Sequence, residues 1–199
     1  MDQDQRAVLL IASRLLGYPE ETDVQEEEEM DAFVEEKISS LRLRQDLKAA
    51  YAPILRLPVH VRRELYVSSF DLKSKLGLYL TAHELGDSPK RGAALIRLQN
   101  ILADAGYAGV EGELADYIPL LFEFLAITEE NPDHQRLVRR LAVAIKRMSD
   151  HIHDSPFAKI LEVLRDYVFP EPTKAEIEKL EFEREEADLE ELPYPIMYQ

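Results

Sequence analysis

The chain contains no cysteine and only seven glycines in 199 residues. The first absence excludes a disulfide framework, thiolate zinc sites and cysteine-ligated iron–sulfur clusters. A reducing compartment is compatible with it. Bases are outnumbered: 24 Lys and Arg face 39 Asp and Glu, for a formal charge of −15. Unaided nucleic-acid binding is therefore disfavoured, because phosphate contacts need a basic surface. Long apolar runs are missing too. The opening MDQDQRAVLLIASRLL has no basic n-region and is interrupted by Arg14, so it reads as neither a signal peptide nor a membrane span. The expectation is a soluble protein that stays in the cytoplasm. Motifs for chemistry are absent as well: no G-x-S-x-G elbow, no phosphate loop and no G-x-G-x-x-G. No enzymatic activity, catalytic residue or cofactor is expected.

What is present suits one globular domain, able to bury roughly 70% of its unfolded surface. Hydrophobic residues make up 46% and charged residues 32%, ordinary for a soluble protein. Charge is unevenly placed. Residues 20–36 hold ten acids and no base, and residues 171–199 hold ten acids against three bases. These two segments account for more than the whole net charge, which predicts a near-neutral body with two acidic appendages. They read either as solvated faces or as attractors of an Arg- or Lys-containing peptide.

Apolar residues recur at helical spacing, and nothing reads as a sheet. The best-marked helix is 88–106, with Ser88 as N-cap, Pro89 at the first position and Gly106 as the stop. Its stripe is Ala94, Leu95, Leu98, Ile101, Leu102 and Ala105. Further helices are predicted near 3–16, 27–40, 44–56, 59–70, 72–85, 116–127, 133–152 and 156–168. Pro53 and Pro58 break up the middle, and Asp71 is placed to cap a restarted helix. Gly106, Gly109 and Gly112 concentrate in one loop, read as a hinge. The expected architecture is all-α: one helical domain over 1–170, with halves 1–106 and 113–170, a hinge at 107–112 and an acidic, mobile tail over 171–199.

His151-x-His153 does not chelate on a helix, since i and i+2 point about 200° apart. Charge near a helix C-terminus is the simpler reading of that pair. His83-Glu84 lacks the second histidine of a zinc helix. No metal site is expected.

Four blocks of the chain carry a resemblance. They are Tyr66-Val67-x-x-Phe70-Asp71; Leu78-Tyr79-Leu80-Thr81-x-His83; Gly86-Asp87 with Arg91-Gly92 behind it; and Glu113-Leu114-x-Asp116-Tyr117-x-Pro119, followed by Glu123-Phe124-Leu125-Ala126. In order and spacing the set resembles the NarJ family, cytoplasmic chaperones that assemble respiratory nitrate reductase, within the wider class that includes the TorD and DmsD types. Ala115 stands where that pattern has proline. The resemblance implies a single TorD-like helical bundle that binds the basic N-terminal segment of the nitrate reductase catalytic (alpha) subunit. It also implies promotion of molybdenum cofactor insertion before membrane attachment. The partner would be that peptide, with no nucleic acid and no membrane insertion; a monomer is expected, with a dimer left open.

The candidate peptide-binding residues are Tyr66, Phe70, Asp71, Tyr79, His83, Glu84, Asp87, Asp116, Tyr117 and Glu123. Tyr66, Phe70 and Tyr79 read as an aromatic wall, either plain core or the floor of a groove. Its acidic rim would be Asp71, Glu84, Asp87 and Glu123, open to an arginine-bearing helix. Asp116 reads as the N-cap of a helix beginning at Tyr117, and the resemblance adds a place in peptide recognition; the two roles are compatible. Arg91 is expected to pair with Asp87, one turn away. Leu120, Leu121, Phe124 and Leu125 read as core. A second reading of function is an acidic helical adaptor that grips basic proteins through its charged segments.

Overall fold

The computed structural model describes residues 1–20, 25–73, 75–86, 88–107, 112–169 and 171–175. Within them the secondary structure is helical, apart from one isolated bridge. The central pair is α1 (Gln3–Leu16) and α7 (Ile118–Ile127), which pack against each other along their lengths. α1 begins where predicted because Asp2 and Gln5 form a reciprocal cap. The Asp2 carboxylate accepts from the Gln5 N–H at 2.8 Å, and the Gln5 amide oxygen accepts from the Asp2 N–H at 3.0 Å. Ala7, Val8, Leu9, Ile11, Ala12, Leu15 and Leu16 are all buried, so the helix is covered on most sides. α7 reads IPLLFEFLAI and buries everything except Glu123 and Ile127, including the predicted core residues Leu120, Leu121, Phe124 and Leu125.

Around this pair lie α2 (Glu26–Lys37), α3 (Leu41–Leu55), α4 (Val59–Tyr66), α5 (Leu80–Leu85), α6 (Arg91–Asp104), α8 (Pro132–His151) and α9 (Ala158–Val163). α4 and α9 each run on into a wider π-turn, over Val67–Asp71 and Leu164–Val168. α1 also packs on the second of these turns, and α3 packs on α9. Helices from before and after the glycine-rich loop thus share one core. Residues 108–111 of that loop, and the acidic segment from 176 onward, lie outside the described residues. Among the described residues no helix is long and apolar enough to cross a membrane.

Several boundaries differ from expectation for identifiable reasons. Pro53 does not break its helix: it sits exposed in the last turn of α3, two residues before its end, where few bonds remain to be lost. Ser88 is not an N-cap. Its hydroxyl accepts from the Lys90 N–H at 3.3 Å in a preceding turn, and α6 starts at Arg91. The end of α6 is as predicted, with Gly106 at φ 72° and two reversing bonds, Gly106 N–H to Ala103 O and Tyr107 N–H to Leu102 O, both 2.9 Å. Leu98 and Leu102 of its stripe are buried, whereas Ala105 is exposed.

The predicted helix 72–85 forms only from Leu80, and Asp71 is exposed at the end of the π-turn rather than capping a restart. In between, Leu76, Leu78 and Leu80 are buried in alternation, an extended pattern interrupted by Gly77. Tyr79 forms an antiparallel bridge with Tyr117: Leu80 N–H donates to Asp116 O at 2.9 Å and Ile118 N–H to Leu78 O at 2.8 Å.

From residue 25 onward the first acidic segment is not an appendage: α2 buries Met30 and Val34, and four of its carboxylates face bases outside the helix. Glu27 takes Arg56 at 2.7 Å, Asp31 takes Lys48 at 2.8 Å, Glu35 pairs with Arg44, and Glu26 lies between Arg14 and Arg62. Much of the charge of this helix is thus answered by bases supplied from elsewhere in the chain.

Candidate functional site

The bridge between Tyr79 and Tyr117 is the point from which most of the candidate residues are positioned. Asp116, immediately before it, has no exposed surface. It does not cap α7, whose N-cap is Tyr117 with no side-chain bond. Its carboxylate instead reaches back to the start of α5. One oxygen accepts from the Thr81 N–H at 3.2 Å and from the Thr81 hydroxyl, and it lies 3.5 Å from the Arg91 guanidinium. Arg91 also donates to the Thr81 hydroxyl oxygen at 2.9 Å and lies over the Tyr79 ring. These are the partners of Arg91 among the described residues; Asp87, its expected partner, lies outside them. Asp116 therefore ties the 72–80 segment and α6 to the base of α7.

The aromatic residues form a connected series rather than one flat wall. Tyr66 stands edge-on to Tyr18 and to Phe70, each at 5.3 Å between centroids, and Phe70 contacts Phe157 at 4.8 Å. Phe70 is core. The Tyr66 and Tyr117 hydroxyls lie 3.1 Å apart, and the Tyr117 ring packs on Tyr79 at 5.6 Å. Burial raises the phenol pKa of both Tyr66 and Tyr117. Tyr79 lies in the extended segment, not on a helix, and is half-buried.

Among the described residues, the expected acidic rim of Asp71, Glu84 and Glu123 does not line one groove; Asp87 lies outside them. Glu84 forms a two-pronged pair with Arg140 of α8, both contacts 2.7 Å. His83 is half-buried against the Gly77 carbonyl at 2.6 Å, and burial lowers its pKa, partly opposed by that bond. Glu123, the one acid of α7, points toward α1. It accepts from the Ser13 hydroxyl at 2.8 Å and from the Tyr107 hydroxyl at 3.1 Å.

Glu123 and Tyr117 are the two predicted residues that line a cavity of about 280 Å³ between the end of α1 and the start of α7. Its apolar wall includes Leu15, Ile54, Pro119, Leu120 and Phe157. Its polar side carries Ser13, Glu113 and Glu123, with Arg14, Arg62, Glu20 and Glu26 toward the α2 side. Glu113 accepts from the Tyr79 hydroxyl at 3.2 Å and from its neighbour's N–H, that of Leu114, at 3.0 Å. Burial, reinforced by the nearby carboxylate, pushes the Tyr79 and Tyr107 phenols up to about 12.

Sequence reasoning missed Ser13, Thr81 and Glu113 as site residues. Thr81 and Glu113 stand inside the blocks that carried the resemblance, so that signal was available. Ser13 had none beyond being a hydroxyl in an apolar stripe. His134 was also missed: buried at the start of α8, it meets the Leu125 carbonyl at 3.2 Å, and burial lowers its pKa. The last residue of α8, His151, donates from Nδ1 to the Arg147 carbonyl (2.8 Å) near the helix C-terminus. Among the described residues no group of three or more His, Asp or Glu is placed to hold a metal ion.

Comparison with known proteins points one way. The pattern of the nitrate reductase delta subunit family matches residues 27–157. The chain is 30% identical over 173 residues to the probable nitrate reductase molybdenum cofactor assembly chaperone NarJ of Bacillus subtilis, covering 81% of this chain and 88% of that protein. It is also 28% identical over 118 residues to the nitrate reductase-like protein NarX of Mycobacterium tuberculosis, 59% of this chain but 17% of NarX.

Proposed function

Since the chain belongs to the nitrate reductase delta subunit family, we propose that it is a molybdenum cofactor assembly chaperone for a nitrate reductase. It is not an enzyme; its work is binding and release. It receives the N-terminal segment of the reductase catalytic subunit in the cytoplasm, keeps that subunit open to cofactor insertion, and delays membrane attachment until loading is complete. The observation that supports this reading is the cavity at the α1–α7 junction, apolar on one side and acidic on the other, held by the central helix pair.

The binding residues follow from that placement. Tyr117 and Glu123 face the peptide, joined by Glu113 and Tyr18, while Tyr66 and Tyr79 hold Tyr117 in position. Phe70, Asp116 and Glu84 support the surrounding structure. Apolar burial supplies affinity, and the carboxylates orient the peptide and speed its approach.

Calorimetric titration with a synthetic N-terminal peptide of the cognate catalytic subunit tests the proposal, with a charge-matched scrambled peptide as control. Saturable binding of the true peptide alone is the expected result. Equal binding of both would favour the acidic-adaptor reading, and that reading further requires binding to collapse when 171–199 is deleted. The pairing of the α2 acids with Arg14, Arg44, Lys48, Arg56 and Arg62 already weakens it, because those carboxylates are engaged within the molecule.

A further inference from the structure

Resting on the peptide-binding reading, we propose that the α1–α7 cavity is a receptor for a single arginine side chain of the partner, its guanidinium held between Glu113 and Glu123. The cavity volume, about 280 Å³, is slightly below the roughly 300–1,000 Å³ of sites that enclose whole small molecules. It suits one long side chain better than a cofactor. Its walls divide accordingly. Leu15, Pro119 and Leu120 offer apolar surface to an aliphatic stem, and the carboxylates of Glu113 and Glu123 stand where a charged head would arrive.

The charges inside the cavity favour a cation. Four carboxylates line it against two guanidiniums. Both guanidiniums, those of Arg14 and Arg62, already contact Glu26, at 3.0 and 2.7 Å. Glu113 and Glu123 have no such partner among the described residues. Every hydrogen bond they receive comes from a neutral donor: Tyr79 and the Leu114 N–H for one, Ser13 and Tyr107 for the other. Those donors fix the carboxylates and leave further lone pairs on each. Two half-buried, oriented carboxylates without a counter-ion match the forked donors of a guanidinium better than a point-charge ammonium.

The test uses the full chain and a small probe, so that it does not depend on the peptide. N-acetyl-arginine amide is titrated into ¹⁵N-labelled protein, with N-acetyl-citrulline amide as the neutral isostere and N-acetyl-lysine amide as the second cation. Saturable shifts of the Glu113, Leu114 and Glu123 amides are expected with the arginine probe. Affinity for citrulline should be ~10-fold or more lower, the loss that follows from removing charge-assisted hydrogen bonds. The same shifts should vanish in the E113Q/E123Q double variant. No saturable shift with arginine, or equal binding of citrulline, overturns the proposal; equal binding of lysine overturns its guanidinium selectivity. If the double variant does not fold, the citrulline comparison on the native protein still decides. A peptide that fails in the calorimeter while the arginine probe binds here would refute the assembly role and leave the receptor standing.

Discussion

A carboxylate with no exposed surface must be held by donors or take up a proton. Asp116 is held on one side by Thr81 and Arg91, and its other oxygen has no hydrogen-bond partner among the described residues. Were it a helix cap, replacement by alanine would cost about 0.5–2 kcal/mol. As the anchor of a buried, partly charged cluster it should cost more, about 2–4 kcal/mol, because Thr81 and Arg91 lose their acceptor. Urea denaturation of Asp116→Ala and Asp116→Asn checks this. Asparagine, which keeps an acceptor for Thr81, should lose clearly less; equal losses would mean that the charge carries the whole effect and the retained acceptor contributes nothing. The helix cap was the natural reading because capping is local, whereas Thr81 lies 35 residues away. The same distance effect hid Ser13, 110 residues from Glu123.

At the scale of elements, legibility followed the reach of the interactions that set each boundary. α1 and the Gly106 stop of α6 were readable because their bonds close within five residues. Residues 78–80 were not, because Asp116, Tyr117 and Ile118 on another segment pair with their backbone. α2 shows how composition misleads when read alone. Its acid run suggested a solvated arm, yet Met30 and Val34 bury it and α3 answers its charge. The apolar contacts should dominate. Val34→Ala is expected to cost about 1–3 kcal/mol, while Glu27→Gln, which loosens a solvent-screened surface pair with Arg56, should cost clearly less. Thermal melts of the two variants at low and high salt separate the contributions; only the second should depend on salt. A larger loss from Glu27→Gln would reverse this ranking.

For the molecule as a whole, the joining of α1 to α7 and of α3 to α9 bears on the proposed hinge at 107–112. Two halves that folded independently would melt separately. Elements interleaved in one core should instead give a single calorimetric transition, with calorimetric and van't Hoff enthalpies equal. Two resolved transitions would restore the independent halves. All-helical class and the central apolar stripe of α7 were legible in the chain; which helix would face which was not, since periodicity marks a face without naming its partner.

The interleaving also sets an order of events during synthesis. Gln5, in the first turn of the first helix, donates its side-chain amide to the carbonyl of Tyr167, 162 residues later, and the Tyr167 hydroxyl reaches Asp46. A chain made from its N-terminus exposes the apolar faces of α1 and α3 long before α7 and α9 exist to cover them. An assembly chaperone of this build would itself be sticky while nascent, and its own maturation would wait on α9.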